Sequence, residues 1–596
     1  MAKNTTETKA KTTKTAKTTR TAKTVKARAV KTTKAEGKTQ KTRVTAEAKK
    51  TTHKKTAVAP KAKKTVADAI INEEKVTSKI EAADLFWDQK IVKVIMKYPK
   101  TAACVLGAIL AAALPPFYQL WALFLAFSGL MLLIAGTGRL RKLAAIGYWF
   151  GFGYFAVGFY WIGNALLVDM VKTGWLYPLV LLLNGAFFGL FTIIPAAATK
   201  YGRNLAAKML LFAAFWCLSV EWLRSFILTG FPWNPISSVL TFSPTMLQIL
   251  SVLGTYGTSL ILVLIAMLPA VWLVNPTKLR SISLPAALLA LLGIWQFGEY
   301  TLDKRVYVPE GHSIIVRLVQ PSIPQTLKWD KTVLEENLQK YVDLSREKDN
   351  SYISFTVWGE TAYPYDLLYD EVHKRKLATA VPPYGYLITG FLRRVDDGYN
   401  YTPYNSFGVI NKQGELVGWY DKSHLVPFGE YIPLRQYLPE WVRPVANVVA
   451  EFGRGEKFKT LQVGNYPEFA PLICYEVIFS DEIIKKGDKR PAWAVVLTND
   501  GWYGMSAGPY QHLAAAQMRA VEEGISIVRS ANSGISAVID PYGEIIARIP
   551  LGESGSKDAL VKPEESHLTV FGKYGNRIAL TMSGALIALA LLISLL

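Results

Sequence analysis

The sequence predicts a multi-pass α-helical membrane bundle of about eight spans that carries an extracytoplasmic α/β domain. Three observations lead to this architecture. Apolar segments of about 20 residues, enough to cross the hydrocarbon core as a helix, recur up to residue 298 and again at the end of the chain. Residues 300–575 instead alternate β-rich runs with helical stretches, as layered α/β domains do. Basic residues concentrate in alternate loops between the apolar segments, which indicates an orientation.

The N-terminal tail, residues 1–77, differs from the rest of the chain in charge. The 596-residue protein has a formal net charge of +22, and residues 1–64 contribute +18 through 18 Lys and 3 Arg against 3 Glu. This Lys-, Thr- and Ala-rich tail lacks the apolar surface that would offset the entropy of ordering, so we expect disorder. Such an arm could bind anionic lipid or nucleic acid, but a solvated extension is the more common role. No apolar core follows within the first 30 residues, so we do not expect a secretory signal peptide.

Residues 78–299 are predicted to form the membrane bundle, and residues 576–596 a C-terminal transmembrane helix. Each predicted span is close to the length that a membrane helix requires. The eight spans lie near 101–117, 119–137, 143–167, 175–198, 205–227, 253–274, 281–298 and 577–596.

The connecting loops predict the orientation of these spans. Basic residues precede the first span and recur in Arg139–Lys142, Lys200–Lys208 and Lys278–Arg280. These are alternate loops, so the positive-inside rule places them and the basic tail in the cytoplasm. Seven spans then put residues 300–575 on the extracytoplasmic side, and the eighth returns the C-terminus to the cytoplasm.

Residues 300–575 are predicted to form an α/β domain large enough to support its own core. Helical stretches at 331–347 and 510–523 lie between runs of β-forming residues that end in turn residues. The predicted strands lie within 313–321, 352–360, 386–392, 405–411, 469–476, 492–500, 525–533 and 535–544.

Three polar segments follow apolar runs of this domain, where α/β folds tend to place their sites. They contain Glu360, Lys422 and Cys474, and Cys474 is the only cysteine of the polar domain. The other two, Cys104 and Cys217, lie in apolar spans, so we do not expect a disulfide framework.

Each of these three residues has a structural explanation beside a catalytic one. Such a cysteine is commonly a small buried hydrophobe, the glutamate a surface turn residue and the lysine a solvated cation. In the catalytic interpretation, Glu360 removes the proton of the Cys474 thiol, since the thiolate is the form that attacks a carbonyl carbon. A fixed Lys422 cation would stabilise both this thiolate and the oxyanion that the attack creates.

The sequence shows no pattern typical of a bound cofactor. His424 and His512 lack the paired His, Cys or Asp spacing of a metal site, and no Gly-rich phosphate loop is present. We therefore expect neither a metal nor a nucleotide cofactor. His512 begins a predicted helix and is interpreted as structural.

Glu360, Lys422 and Cys474, in this order and with these flanking residues, resemble the nitrilase (carbon–nitrogen hydrolase) superfamily. Over about residues 95–596, the chain is similar to the apolipoprotein N-acyltransferases, the membrane-integrated members of that superfamily. One departure is Trp358–Gly359–Glu360, where the sequence WPE is frequent in the family. The motifs that carry the resemblance are HLVPFGEYIP (424–433), ICYE (473–476), TNDGWYG (498–504), GFPWNP (230–235) and QPSIPQTLKWD (320–330).

The resemblance implies a nitrilase-like αββα fold for the polar domain and roles for the residues that match. Glu360 would be the general base and acid, Lys422 the oxyanion stabiliser and Cys474 the nucleophile. Five more residues would support them, although packing roles explain them equally well: Glu430 would orient Lys422 or Glu360, Tyr475 and Glu476 would shape the pocket, and Trp329 and Trp502 would line the approach of the substrates.

The resemblance also implies an activity in the bacterial inner membrane, with the catalytic domain in the periplasm. The expected reaction is phospholipid-dependent N-acylation of the N-terminal diacylglyceryl-cysteine of apolipoproteins, by a ping-pong mechanism through a Cys474 thioester, as the last step of lipoprotein maturation. The expected partners are a membrane phospholipid, the diacylglyceryl-apolipoprotein and the bilayer, with no nucleic acid required.

Two alternatives remain at this point. A membrane-tethered amidase or nitrilase would use the same three residues on a small substrate, but one membrane anchor would suffice for it. A transporter or scaffold with a non-catalytic outer domain would carry charged or broken helices at mid-membrane. Glu221 and Arg224 are the only acid–base pair found in the predicted spans.

Overall fold

Apolar helices make up the first half of the structure, a computed structural model. It describes residues 95–595 apart from 275–278, 306–313, 397, 399–400, 440–443 and 445–450. The predicted disordered tail, residues 1–77, lies outside the described residues, all of which belong to one unit, residues 63–596.

The helices of the bundle are apolar on all sides, a pattern typical of helices that face either lipid or a protein core. Some of these helices begin at a residue whose side chain caps the first turn. Asn204, for example, accepts a hydrogen bond from the Ala207 amide at 2.9 Å. The bundle consists of α1 (Pro99–Leu110), α2 (Leu120–Ala135), α3 (Leu140–Gly158), α4 (Met170–Thr173), α5 (Tyr177–Phe188), α6 (Ile193–Ala198), α7 (Leu205–Phe215), α8 (Pro244–Leu247), α9 (Leu250–Val274), α10 (Leu279–Asp303) and, after the polar domain, α15 (Arg577–Leu595).

In the part of the chain that the structure describes, five helical segments are long and apolar enough to cross a membrane: Met170–Tyr201, Leu205–Ser225, Leu250–Leu273, Ser281–Asp303 and Arg577–Leu595. A sixth is possible if α3 and the following 3₁₀ helix Tyr160–Leu167, bent by 44°, count as one span.

The first two predicted spans correspond to shorter apolar helices, Pro99–Ala113 and Leu120–Ala135. At a rise of 1.5 Å per residue, helices of this length extend about 22–24 Å, less than the ~30 Å hydrocarbon core. The count of eight spans therefore stays a prediction.

The polar domain contains two sheets. The larger has the order β11-β1-β2-β3-β4-β5 and the smaller the order β10-β9-β8-β7-β6. Neighbours β1, β2 and β3 are parallel, as are β6, β7 and β8, whereas the remaining pairs are antiparallel. The strands are β1 (Ile314–Gln320), β2 (Phe355–Val357), β3 (Tyr386–Asp396), β4 (Tyr401–Ile410), β5 (Leu416–Asp421), β6 (Phe469–Ile473), β7 (Trp493–Thr498), β8 (Ser526–Ala531), β9 (Ser536–Ile539), β10 (Ile545–Ile549) and β11 (Gly555–Val561).

The two sheets pack face to face, and helices cover their outer faces. The helices of this domain are α11 (Leu334–Arg346), α12 (Glu371–Ala378), α13 (Gly508–Glu523) and α14 (Val570–Tyr574). Apolar residues of both sheets, such as Val357 and Val495, form one core between them. A second core joins the larger sheet to α11 and α12. The resulting order of layers is αββα, which confirms the predicted nitrilase-like fold.

The apolar core of the bundle continues into the polar domain. It includes buried residues of α2 and α3 together with Leu472 and Val496 on the outer face of the smaller sheet and Leu513 of α13. The helical bundle therefore packs directly against the side of the smaller sheet, whose strand β6 leads into Cys474.

Candidate active site

Glu360, Lys422 and Cys474 lie together although they come from three strands of two sheets. Glu360 follows β2, Lys422 follows β5 and Cys474 follows β6. Lys422 Nζ lies 3.6 Å from Glu360 Oε1, and the charges of both residues act on the Cys474 thiol. All three side chains are buried, with Lys422 only 1% exposed. The structure thus brings together the three residues that the sequence singled out.

Cys474 occupies a sharp transition from strand to helix. It is the first residue of the 3₁₀ helix Cys474–Ile478, and its φ of +52° lies in the left-handed region that non-glycine residues rarely adopt. Burial and the nearby Glu360 carboxylate raise the pKa of its thiol to about 12, although the Lys422 cation opposes this shift. The resting thiol is therefore neutral at physiological pH, and a base must take its proton before it can attack.

Lys422 is held by two carboxylates. Its ammonium donates to Glu430 Oε1 at 3.0 Å, beside the contact with Glu360. Burial alone would lower the pKa of Lys422, but the charges of Glu430 and Glu360 outweigh it and raise that pKa above its ordinary value. Lys422 is consequently a permanent cation in the site.

Asn405, on β4, links these carboxylates and was missed by the sequence analysis. Its Nδ2 donates to Glu360 Oε1 at 2.8 Å and to Glu430 Oε1 at 2.9 Å. Glu430 is further held through Oε2, which accepts from the Val426 amide at 2.9 Å. Asn405 begins the predicted β-rich run NSFGVIN (405–411), but the sequence does not reveal which residues its amide faces.

Glu476 attaches the loop after β5 to the turn that carries Cys474. Its Oε1 accepts from the Tyr420 hydroxyl at 2.6 Å, the Ser423 amide at 2.8 Å and the His424 amide at 3.0 Å. Its Oε2 accepts from the amide of Ile473 at 2.8 Å. Because these bonds join the segments on either side of the site, Glu476 fixes the position of Lys422 relative to Cys474.

Tyr475 connects the site to the bundle. Its hydroxyl donates to the main-chain oxygen of Gly230 at 2.6 Å. Gly230 begins the motif GFPWNP, residues 230–235, which we call the membrane-side loop. His424 contacts the residue before this loop, since its Nε2 lies 2.6 Å from the main-chain oxygen of Thr229. A segment of the bundle thus forms one wall next to the candidate nucleophile.

Buried charges within the bundle hold the membrane-side loop. Arg224 Nη1 donates to the main-chain oxygens of Phe231 at 2.5 Å and Trp233 at 2.8 Å, and Glu221 Oε1 accepts from the Ile236 amide at 3.1 Å. The acid–base pair that had kept a transporter interpretation open therefore has a structural role, because both residues bind the backbone of this loop or of its flank.

His512 supports Cys474 from behind. Its Nε2 lies 3.0 Å from the main-chain oxygen of Cys474, and its Nδ1 lies 2.8 Å from Asp500 Oδ1. Arg529 donates to Asp500 Oδ2 at 2.6 Å. Burial would raise the pKa of Asp500, but the Arg529 and His512 charges outweigh it and lower that pKa to about 2. The ring of Trp233, from the membrane-side loop, packs 5.1 Å from that of His512.

The structure describes both tryptophans that were predicted to line the approach of the substrates. Trp329 is 41% exposed, and Trp502 is half-buried within the turn Asp500–Tyr503. In the described chain, neither indole donates a hydrogen bond to Glu360, Lys422 or Cys474. Their predicted role along the approach of the substrates stays a prediction.

Lys328, the neighbour of Trp329, enters the site unpredicted. Its Nζ donates to the main-chain oxygen of Glu360 at 2.8 Å, and its side chain is buried. Among the described residues, no group of three or more His, Cys, Asp or Glu side chains is arranged to hold a metal ion. The described side chains thus place one thiol, two carboxylates and two lysines together in a buried site.

Comparisons with known proteins agree with this arrangement. The family model of the carbon–nitrogen hydrolases matches residues 315–565, and that of the apolipoprotein N-acyltransferase N-terminal domain matches residues 106–268. A curated apolipoprotein N-acyltransferase from Rhodopseudomonas palustris is 37% identical over 509 residues, which cover 82% of this chain and 94% of that protein. Another, from Agrobacterium fabrum, is 38% identical over 476 residues, covering 77% of this chain and 88% of the relative.

Proposed function

Because the chain belongs to the apolipoprotein N-acyltransferase family, we propose that it transfers an acyl chain from a membrane phospholipid to the α-amine of an N-terminal diacylglyceryl-cysteine. Lipoprotein N-acylation of this kind would be the last step of lipoprotein maturation. The proposed route has two half-reactions through a thioester on Cys474.

In the first half-reaction, Glu360 accepts the proton of the Cys474 thiol, and the sulfur forms a bond to an ester carbonyl carbon of the phospholipid. The oxyanion that develops is stabilised by Lys422, whose charge is permanent because Glu430 and Glu360 surround it. The ester C–O bond then breaks, and the departing lysophospholipid oxygen takes the proton from Glu360. A thioester acyl-enzyme remains.

In the second half-reaction, the neutral α-amine attacks the thioester carbonyl. A C–N bond forms, the C–S bond breaks, and Glu360 passes a proton of the amine to the sulfur, which restores the thiol. Two modest barriers thus replace one difficult exchange of ester for amide. Asn405, hydrogen-bonded to both Glu360 and Glu430, would keep the base in place through both half-reactions.

One observation carries the proposal: a segment of the apolar bundle forms part of the site. Tyr475, next to the nucleophile, donates to Gly230 of the membrane-side loop, and Trp233 of that loop packs against His512. Acyl chains cost about 0.8 kcal/mol per CH₂ to move into water, so a nucleophile seated on the bundle suits lipid substrates. A small-molecule amidase, the alternative, has no use for this wall.

The proposed topology is the one that the positive-inside rule predicts. Eight spans with a cytoplasmic basic tail would place residues 300–575 on the periplasmic face of the bacterial inner membrane. Tyr384 of this domain is 84% exposed, so Tyr384→Cys offers an accessible thiol. A membrane-impermeant maleimide should label it in intact spheroplasts. Labelling only after lysis would invert the proposed orientation.

The activity is tested with the purified protein in phospholipid micelles and a synthetic diacylglyceryl-cysteinyl peptide. Mass spectrometry should show one added acyl chain on the peptide with the wild type. No product should form with Cys474→Ala, nor with a peptide whose α-amine is acetylated. Release of ammonia from small amides without acylation of the peptide would instead support the amidase alternative.

A further inference from the structure

Lys328 is a second buried lysine in the site, and the proposed mechanism does not use it. Its side chain is 6% exposed, and its ammonium donates to the main-chain oxygen of Glu360 at 2.8 Å. Its neighbour Trp329 places an indole ring 5.9 Å from the ammonium. Lys328 thus binds the backbone of the residue that acts as the base.

The environment of Lys328 differs from that of Lys422. Lys422 contacts two carboxylates within 4 Å, whereas in the described part of the chain no carboxylate lies within that distance of Lys328 Nζ. An ammonium has three N–H donors, and the carbonyl of Glu360 occupies one of them. Burying a charge with so little compensation is costly, so such a group is retained at a functional site more readily than in a core.

Electrostatic interactions connect Lys328 to both reacting groups. Burial lowers the pKa of Lys328 to about 8, while the negative charge of Glu360 and, once it is ionised, that of Cys474 act in the opposite direction. The lysine is therefore cationic below about pH 8 and loses its charge above it. Since a positive charge stabilises a nearby anion, a protonated Lys328 favours the thiolate of Cys474.

We propose that Lys328 is a positioning residue of the site: its ammonium holds the main chain of Glu360 and adds a second positive charge that stabilises the thiolate of Cys474. Lys422 and Lys328 then divide the work. Lys422, locked between carboxylates, stabilises the oxyanion, and Lys328 assists ionisation of the thiol. The inference deepens the proposed function and rests on it for the identity of the nucleophile.

The test needs neither phospholipid nor acceptor. Iodoacetamide alkylates thiolates, so the rate at which it modifies Cys474 below the thiol pKa reports the thiolate fraction. The rate is measured by peptide-mapping mass spectrometry on the detergent-purified full chain between pH 6.5 and 9.5. Four proteins are compared: the wild type, Lys328→Met, Lys328→Arg and Lys331→Met, in which an exposed lysine nearby is replaced.

A charge effect has a distinctive pH dependence. Lys328→Met should react about tenfold more slowly than the wild type at pH 6.5, as expected for loss of one nearby charge. The difference should shrink towards pH 9.5, where the wild-type lysine is itself neutral. Lys328→Arg stays cationic throughout, so its Cys474 should be alkylated as fast as that of the wild type at pH 6.5. At pH 9.5, where the wild-type lysine is neutral, Lys328→Arg should react faster than the wild type. Lys331→Met should match the wild type at every pH.

Two results would overturn the inference. One is a ratio of the Cys474 alkylation rates of Lys328→Met and the wild type that is the same at every pH. The other is an equal fall of the alkylation rate in Lys331→Met. Protection of the buried Cys217 in the same digests reports folding, and if Lys328→Met loses it, Lys328→Gln replaces it in the comparison. This test is separable from the proposed function, because the pH dependence of Cys474 alkylation can be measured even in a protein that fails to acylate the peptide.

Discussion

Replacing Asn405 with aspartate probes how the carboxylates of the site are held. The Asn405 amide donates one N–H to Glu360 at 2.8 Å and the other to Glu430 at 2.9 Å. Asn405→Asp has nearly the same shape but presents only acceptors when it is ionised. It would place a third carboxylate against two existing ones.

The size of the effect follows from these distances. Two unit charges 2.8 Å apart repel by about 6 kcal/mol at an effective dielectric constant of about 20. Keeping an ordinary aspartic acid protonated at pH 7 costs about 4 kcal/mol. The new side chain should therefore hold a proton at pH 7 and offer one O–H donor where Asn405 offered two N–H donors. Loss of one charge-assisted hydrogen bond, about 1.5–3 kcal/mol, corresponds to a fall of about ten- to hundredfold in kcat/KM.

The assay is the initial rate of peptide acylation between pH 6 and 8.5. The loss in Asn405→Asp should deepen as the pH rises, because the third carboxylate then begins to ionise. Asn411→Asp is the matched control, since Asn411 also donates to a glutamate, Glu415 at 2.7 Å, but in an exposed hairpin turn. A kcat/KM within threefold of the wild type at pH 8.5 for Asn405→Asp would refute this account of the network.

Three further substitutions test other contacts. Tyr475→Phe removes the hydrogen bond to the membrane-side loop and leaves the Gly230 carbonyl buried without this donor, at a cost of about 1–3 kcal/mol. We therefore expect kcat/KM to fall about five- to hundredfold, and an unchanged kcat/KM would contradict a role for the loop. Gly359→Ala would put a Cβ 2.4 Å from the Asn532 amide nitrogen and should lower the melting temperature in detergent, whereas Gly584→Ala, with no atom within 4 Å, should not. Asp500→Asn should lower the melting temperature at neutral pH. Because the folded-state pKa of Asp500 is depressed from 3.8 to about 2, the difference in melting temperature from the wild type should be full above pH 4 and disappear towards pH 2. A difference that is independent of pH would argue against the ion pair.

The sequence predicted the central strands of the polar domain better than its edges. Long apolar runs such as those of β1 and β7 are buried on both faces, so hydrophobicity alone reveals them. Strands β5, β10 and β11 were missed, and each lies at the edge of its sheet. These three strands carry charged or exposed residues, as the Lys and Asp in GSKDALV of β11 show, and lack the pattern that identifies a strand, whereas the edge strand β6 is buried throughout and was predicted.

The candidate site was predictable where a residue stands at the end of a strand in a recognisable motif. Glu360 and Cys474 met this condition, Lys422 and Glu430 were found through the motif that contains them, and the structure brings all four together. Asn405 and the other supporting contacts depend on pairings between distant segments, which no local pattern encodes.

The membrane-side loop illustrates the same limit. GFPWNP was noticed as a motif, but its bond to Tyr475 joins residues 245 positions apart. Likewise, the length of the first two helices could not be read from apolar runs that continue through their ends. Hydrophobicity shows that a segment is buried or in lipid, but not where a helix stops.

The central claim is that Cys474 carries the acyl group. After incubation of the purified protein with phospholipid and no acceptor, peptide mapping should place one acyl mass on Cys474 and none on Cys104 or Cys217, the other two thiols of the chain. Hydroxylamine should remove that mass, as it does from thioesters, and addition of the diacylglyceryl peptide should transfer it to the peptide. Absence of any acyl mass on Cys474 with a competent phospholipid, while the peptide is still acylated, would contradict the account.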